Sequence, residues 1–170
     1  MQIKWIGAIL IISGCGGYGF YLAASHNKEV NTLQKLIALI EFMICELQFR
    51  MSPLPVLCRQ AAFETSGALR HVFINLSNEM ESLIRAEVNT CMHAAISKSP
   101  PIPSVTLRCL KILGKSLGRF DLNGQINELD NVLNFCKMKR DELNSKKDIR
   151  IRSYRTLSLC AGAALAILLI

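Results

Sequence analysis

Leu33-Gln34-Lys35-Leu36-Ile37-Ala38-Leu39-Ile40-Glu41-Phe42-Met43-Ile44-Cys45-Glu46-Leu47 decides the fold class. Leu33, Leu36, Ile37, Ile40, Ile44 and Leu47 recur at i, i+3, i+4, i+7, i+11 and i+14, the apolar stripe of an amphipathic helix. Lys35, Glu41 and Glu46 fall mostly off that stripe. Pro53 and Pro55 end the helix, because proline lacks the amide N–H that the helical ladder needs. Ser52 then caps a short helix from Pro53 to Phe63, which Gly67 stops. Ala68 to Ser99 contains neither Gly nor Pro, and Phe73, Leu76, Met80, Leu83, Ile84 and Cys91 keep helical spacing. This stretch is one helix, or two if it breaks near Asn89-Thr90. Pro100-Pro101-Ile102-Pro103 is a linker, and Ser104 caps a helix to about Leu117 that Gly118 closes. Asp121 or Asn123 opens a last helix with Leu122, Ile126, Leu129, Leu133 and Cys136 as its stripe. From Gln125 to Ala161 nothing local would break it. No segment alternates with period two. The periodicity therefore predicts an all-α protein, an antiparallel helical bundle.

The apolar excess gathers at the two ends of the 170 residues. Hydrophobic residues make up 51%, mean hydropathy is +0.29 and charged residues are 19%, which excludes a disordered chain. Trp5 to Ala24 carries no charge over 20 positions. At about 1.5 Å per residue this covers the roughly 30 Å hydrocarbon core of a bilayer. Thr156 to Ile170 is uncharged for 15 residues. That is short of the usual span of about 17–25, although Tyr154 extends it and Arg152 and Arg155 can snorkel. The expected organisation is a transmembrane helix at 1–24, a helical-bundle domain at 25–153 and a second transmembrane helix at 154–170.

Lys146, Lys147, Arg150, Arg152 and Arg155 crowd the entrance to the second span, whereas only Lys4 precedes the first. The positive-inside rule puts 25–153 in the cytoplasm of a multi-pass cell-membrane protein. The seven cysteines are unclustered, with no CxxC. In a reducing compartment they read as small buried hydrophobes. The alternative is a lipid-anchored surface protein, since Ile12-Ser13-Gly14-Cys15 is similar to a lipoprotein signal with Cys15 as the lipidated residue. Apolar sequence continues beyond Cys15, which favours a span with Cys15, Gly19 and Ala23 as a small-residue packing ridge.

Catalytic patterns are sparse. Cys109 to Ser116 resembles the end of a P-loop, but Cys109 stands where the first Gly is needed and no strand precedes it. His26, His71 and His93 lie far apart, and Cys91-x-His93 has no second ligand pair to complete a metal site. Aromatic residues are 6%, too few for a base-stacking surface, so neither nucleic acid nor a small-molecule substrate is expected. The formal charge of +7 points to acidic partners. Arg108, Lys111, Lys115 and Arg119, spaced 3, 4 and 4 apart, align as a basic stripe suited to an acidic protein or anionic headgroups. A solvated helix face would carry the same residues.

The turn Leu117-Gly118-Arg119-Phe120-Asp121-Leu122-Asn123-Gly124-Gln125 sets two glycines around an acid between two helices. Together with Ser52-Pro53-Leu54-Pro55 and Tyr154-Arg155-Thr156-Leu157, it resembles the stage III sporulation protein AB family of endospore-forming Firmicutes, over essentially the full length. Phe120 stands where the family commonly has Ser. That family is similar to the F-type platform proteins of type II secretion and type IV pilus systems, whose cytoplasmic modules are six-helix bundles. The resemblance implies a non-enzymatic membrane scaffold without cofactor or metal, required for sporulation. Its place would be the mother-cell side of the outer forespore membrane, in a secretion-like channel complex between mother cell and forespore. Its partners would be the secretion-type ATPase and other membrane proteins of the same operon, with homo-oligomerisation left open. It also marks Pro53, Leu54, Pro55, Gly118, Asp121, Gly124 and Gln125 as the structural turn residues.

Overall fold

The computed structural model describes residues 27–82 and 87–169, with side chains as far as residue 145. The described residues form six helices and no strand: α1 (27–50), α2 (Leu54–Phe63), α3 (Ala68–Glu81), α4 (Val88–Ser97), α5 (Ser104–Ser116) and α6 (Leu122–Leu169). The all-α expectation holds. The expected span at 1–24 lies outside the described residues. Among those described, no helix is long and apolar enough to cross a membrane, so the expected transmembrane helix at 154–170 is not supported. Residues 154–169 are the end of α6. The uncharged run there is shorter than a bilayer needs, and lengthening it brings in Arg155 and Arg152.

The first helix is the core element. Leu33, Leu36, Ile37, Ile40, Ile44 and Leu47 are buried as their spacing requires, and so are Leu39 and Met43. The apolar face is therefore wider than a simple stripe, as in a helix covered on several sides. Around it close Leu57, Ala61 and Ala62 of α2, Leu69, Val72, Phe73 and Leu76 of α3, Cys91, Met92 and Ala95 of α4, Cys109, Leu110 and Leu113 of α5, and Leu129, Val132, Leu133 and Cys136 of α6. Each of α2 to α5 packs on the helix that follows it.

Neighbouring helices are antiparallel where their contacts fix the direction. α4 and α5 are, because Gly114 faces Met92 while Gly118 faces Val88. α5 and α6 are too, because Ser116 meets Gln125 while Cys109 meets Cys136. α2 and α3 are as well, because Phe63 lies under Arg70 while Pro55 meets Ser77; the long Arg59 side chain reaches on to Asn78 and Glu81. The C-terminal end of α4 lies on the second half of α3, through Lys98 with Glu79 and Asn75 with Ser99.

Several boundaries differ from the expected ones. α3 ends at Glu81 and α4 begins at Val88, so Asn89-Thr90 lies inside α4 rather than at a break. Ser82 donates its hydroxyl to the Glu79 carbonyl at 2.8 Å, a local bond that competes with helix continuation. Neither Ser52 nor Ser104 is a cap; Pro53 and Pro103 hold those positions with ψ of 143° and 146°. At α5 the capping function comes from Glu29 of α1, whose Oε1 accepts the Val105 N–H at 3.1 Å and the Ser104 hydroxyl at 3.3 Å. A carboxylate is favoured at a helix N-terminus by the same partial positive charge that favours local caps.

Cys58, Cys91, Cys109 and Cys136 are buried as expected of small hydrophobes, but Cys45 is exposed. Burial pushes the Cys58 thiol up to about 12. A thiol-alkylating reagent at pH 8 is therefore expected to modify Cys45 in the folded chain and leave Cys58 untouched until denaturant is added. Equal labelling of the two by peptide mass mapping would contradict this packing.

Candidate functional site

The two segments singled out in the sequence, 52–55 and 117–125, meet at one end of the bundle. α5 stops because Gly118 turns to φ +75°, a left-handed angle that side chains with a Cβ rarely adopt. A Cβ at Gly118 would also lie 2.9 Å from Val88 Cγ2 and 3.4 Å from Leu54 Cδ2. The close approach of Leu54 ties the Pro53-Leu54-Pro55 segment to the turn. Pro55 is anchored in turn, its carbonyl accepting the buried Ser77 hydroxyl at 2.9 Å.

Asp121 opens α6. Its Oδ1 accepts the Gly124 N–H at 3.2 Å and its carbonyl accepts the Gln125 N–H at 2.7 Å, the geometry of an aspartate N-cap. Gly124 is glycine for space: a Cβ there would sit 2.7 Å from Asp121 Oδ1 and 2.9 Å from Phe120 Cβ. Gln125 closes the turn from the inside. Only 5% exposed, it accepts the Gly118 N–H on Oε1 at 2.7 Å and donates Nε2 to the Ser116 carbonyl at 3.2 Å. Two backbone groups released at the end of α5 are thus satisfied by one amide from α6. The sequence marks Gln125 as part of the motif but gives no sign of this reach back across the turn. Val88 and Ser77, which complete the contact, carry no sequence signal at all.

The basic residues divide. Arg108, Lys111 and Lys115 are exposed on α5, one turn apart. Arg119 is exposed too, but it follows Gly118 and leaves the helix, so the stripe has three helical members with Arg119 beside its end. Among the described residues no ion pair reaches these four. Arg50, Arg59, Lys98, Lys137, Lys139 and Arg140 each face a carboxylate.

Behind this face two thiols touch across α5 and α6. Cys136 donates its S–H to Cys109, which raises the Cys136 thiol and lowers that of Cys109, and burial raises Cys136 further. No group of three or more His, Cys, Asp or Glu side chains that could hold a metal occurs among the described residues. His71 and His93 are both exposed.

A solved structure described as "Stage III sporulation protein AB (SpoIIIAB)" is similar to this chain, with a TM-score of 0.62 and 16% sequence identity. The match covers 72% of this chain and 98% of that one, and at such identity it speaks for the fold alone. No curated protein matches the sequence. The family model described as stage III sporulation protein AB matches residues 4–170. With its two motif segments packed into one capped turn at the end of an all-helical bundle, the chain belongs to the stage III sporulation protein AB family.

Proposed function

We propose that this stage III sporulation protein is a non-enzymatic platform subunit of a secretion-like channel complex between mother cell and forespore. Segments 1–24 and 154–170 hold it in the membrane, and 25–153 is the cytoplasmic bundle on the mother-cell side of the outer forespore membrane. Arg108, Lys111 and Lys115, with Arg119 at the turn, dock an acidic partner, the secretion-type ATPase of the same operon.

The observation behind this reading is the unpaired basic face. Among the described residues, most other basic side chains of the bundle face a carboxylate, and these four have no ion pair. Like charges one turn apart repel by about 0.2–0.5 kcal/mol per pair, a cost that acids of a partner would offset while speeding encounter.

Lys111→Glu with Lys115→Glu tests it. Both side chains are exposed, so the double variant is expected to keep its circular dichroism and melting temperature. Co-purification with the ATPase and spore formation are expected to be lost. A variant that folds, co-purifies and sporulates like the parent would leave the stripe a solvated face.

Topology has a separate test in Cys45, the exposed cysteine of the described bundle. A membrane-impermeant maleimide is expected to label it only after the cells are opened. Labelling on intact cells would put the bundle outside.

A further inference from the structure

The motif end of the bundle also carries apolar side chains that the fold does not use. Phe49 is 82% exposed, Met51 69%, Phe120 50% and Val56 43%. Phe49 lies at the end of α1 and Met51 just beyond it, Val56 lies in the first turn of α2, and Phe120 follows Gly118, whose close approach to Leu54 brings the two loops together. Met51 holds φ 48°, an angle unusual for a bulky residue and costing of order 1 kcal/mol or more. That strain is spent on a methionine facing solvent. Phe120 is fixed from below by the close approach of Gly124. Arg119 and Arg50 flank the apolar group; among the described residues Arg119 has no ion pair, and Arg50 faces Glu46 at 3.7 Å. Phe, Met and Arg on a rigid support are the composition of an interface centre and its rim.

From this juxtaposition we infer that the Met51–Phe120 end is a docking site for an amphipathic segment of another protein, apolar on one face and acidic at its edge. The inference rests on the membrane-platform reading and extends its basic face by an apolar anchor. A second copy is disfavoured because both surfaces would be basic, in a chain of formal charge +7. The lipid of the anchoring membrane is disfavoured by reach. The patch lies about 36 Å along α1 from residue 27 and about 48 Å along α6 from residue 154.

A photo-cross-linking residue replacing Phe120 in the full chain, in sporulating cells, tests this. Met51 serves as a second position, and Phe63, exposed at the far end of α2, as the control. The expected result is an adduct at both test positions, absent at Phe63, to a different protein whose cross-linked peptide has apolar residues at helical spacing beside acids. Arg119→Glu in the same chain is expected to abolish it. Adducts to lipid, to a second copy, to a peptide without acids, or only at the Phe63 level would overturn the proposal. Loss of ATPase co-purification in the Lys111/Lys115 variant alongside no adduct at Phe120 or Met51 would sink this inference alone and leave the basic face standing.

Discussion

Gly118→Val is expected to destabilise the bundle by about 2–6 kcal/mol, through two separable effects. The first is conformational. Gly118 sits at φ +75°, and a β-branched residue held in a left-handed angle costs about 1–3 kcal/mol. The second is steric, because the new Cβ would come within 2.9 Å of Val88 Cγ2. Valine at position 88 has few rotamers to offer, so relief requires α4 and α5 to separate, at about 1–3 kcal/mol. Against a typical total of about 5–15 kcal/mol this is a large fraction. Denaturant unfolding of the detergent-solubilised chain measures it. Gly118→Ala meets the same contact with less backbone strain and is expected to lose less. Adding Val88→Ala to Gly118→Ala is expected to restore part of that loss. If the second substitution restores nothing, the contact with Val88 is not what the glycine makes room for.

What the sequence discloses about this end, and what it hides, follow from the range of each interaction. Helical periodicity is local, and it finds the stripe of α1 and Leu129, Leu133 and Cys136 of α6, but it misses Leu39, Met43, Leu110 and Val132, and Leu122 and Ile126 are only half-buried. Gly118 and Asp121 are legible for the same reason, since a left-handed stop and an aspartate cap act within one turn of chain. Interactions between distant segments are silent. Glu29 replaces the expected Ser104 cap from 75 residues away. The packing of α2 on α3 depends on Ser77 finding the Pro55 carbonyl. Arg119 fits a spacing of four from Lys115, yet spacing speaks only inside a helix, and Gly118 has already ended it. The end of α3 at Glu81 has no Gly or Pro to announce it. The membrane expectation rested on counts of uncharged residues, and at 154–170 that count is too short for the described helix to qualify as a span.

The second large effect is expected at Gln125. Removing its amide in Gln125→Leu keeps comparable bulk but strands the Gly118 N–H and the Ser116 carbonyl, which it now satisfies at 2.7 Å and 3.2 Å. The buried Ser116 carbonyl left without a partner costs about 1–3 kcal/mol, while Gly118 is exposed and water can take its N–H, so a loss of about 1–3 kcal/mol is expected. The orientation of the amide is fixed by its partners: an N–H can only donate and a carbonyl can only accept, so Oε1 must face Gly118 and Nε2 must face Ser116. Gln125→Glu exploits that asymmetry. The ionised carboxylate still accepts the Gly118 N–H but turns its second oxygen toward the Ser116 carbonyl, where two acceptors repel. The protonated acid donates there and restores the clamp. Folding therefore favours the protonated form, and burial adds in the same direction, so the carboxyl of this variant titrates higher in the folded chain than in the unfolded one. The unfolded state then binds fewer protons than the folded state across that interval. The stability difference between Gln125→Glu and the parent should be smallest below the ordinary carboxylate range and should grow as pH rises through the raised folded value. Melting temperatures of the two chains across a pH series read this directly. A difference that stays flat with pH, or that shrinks toward neutrality, would mean that residue 125 does not bridge α5 and α6 as described.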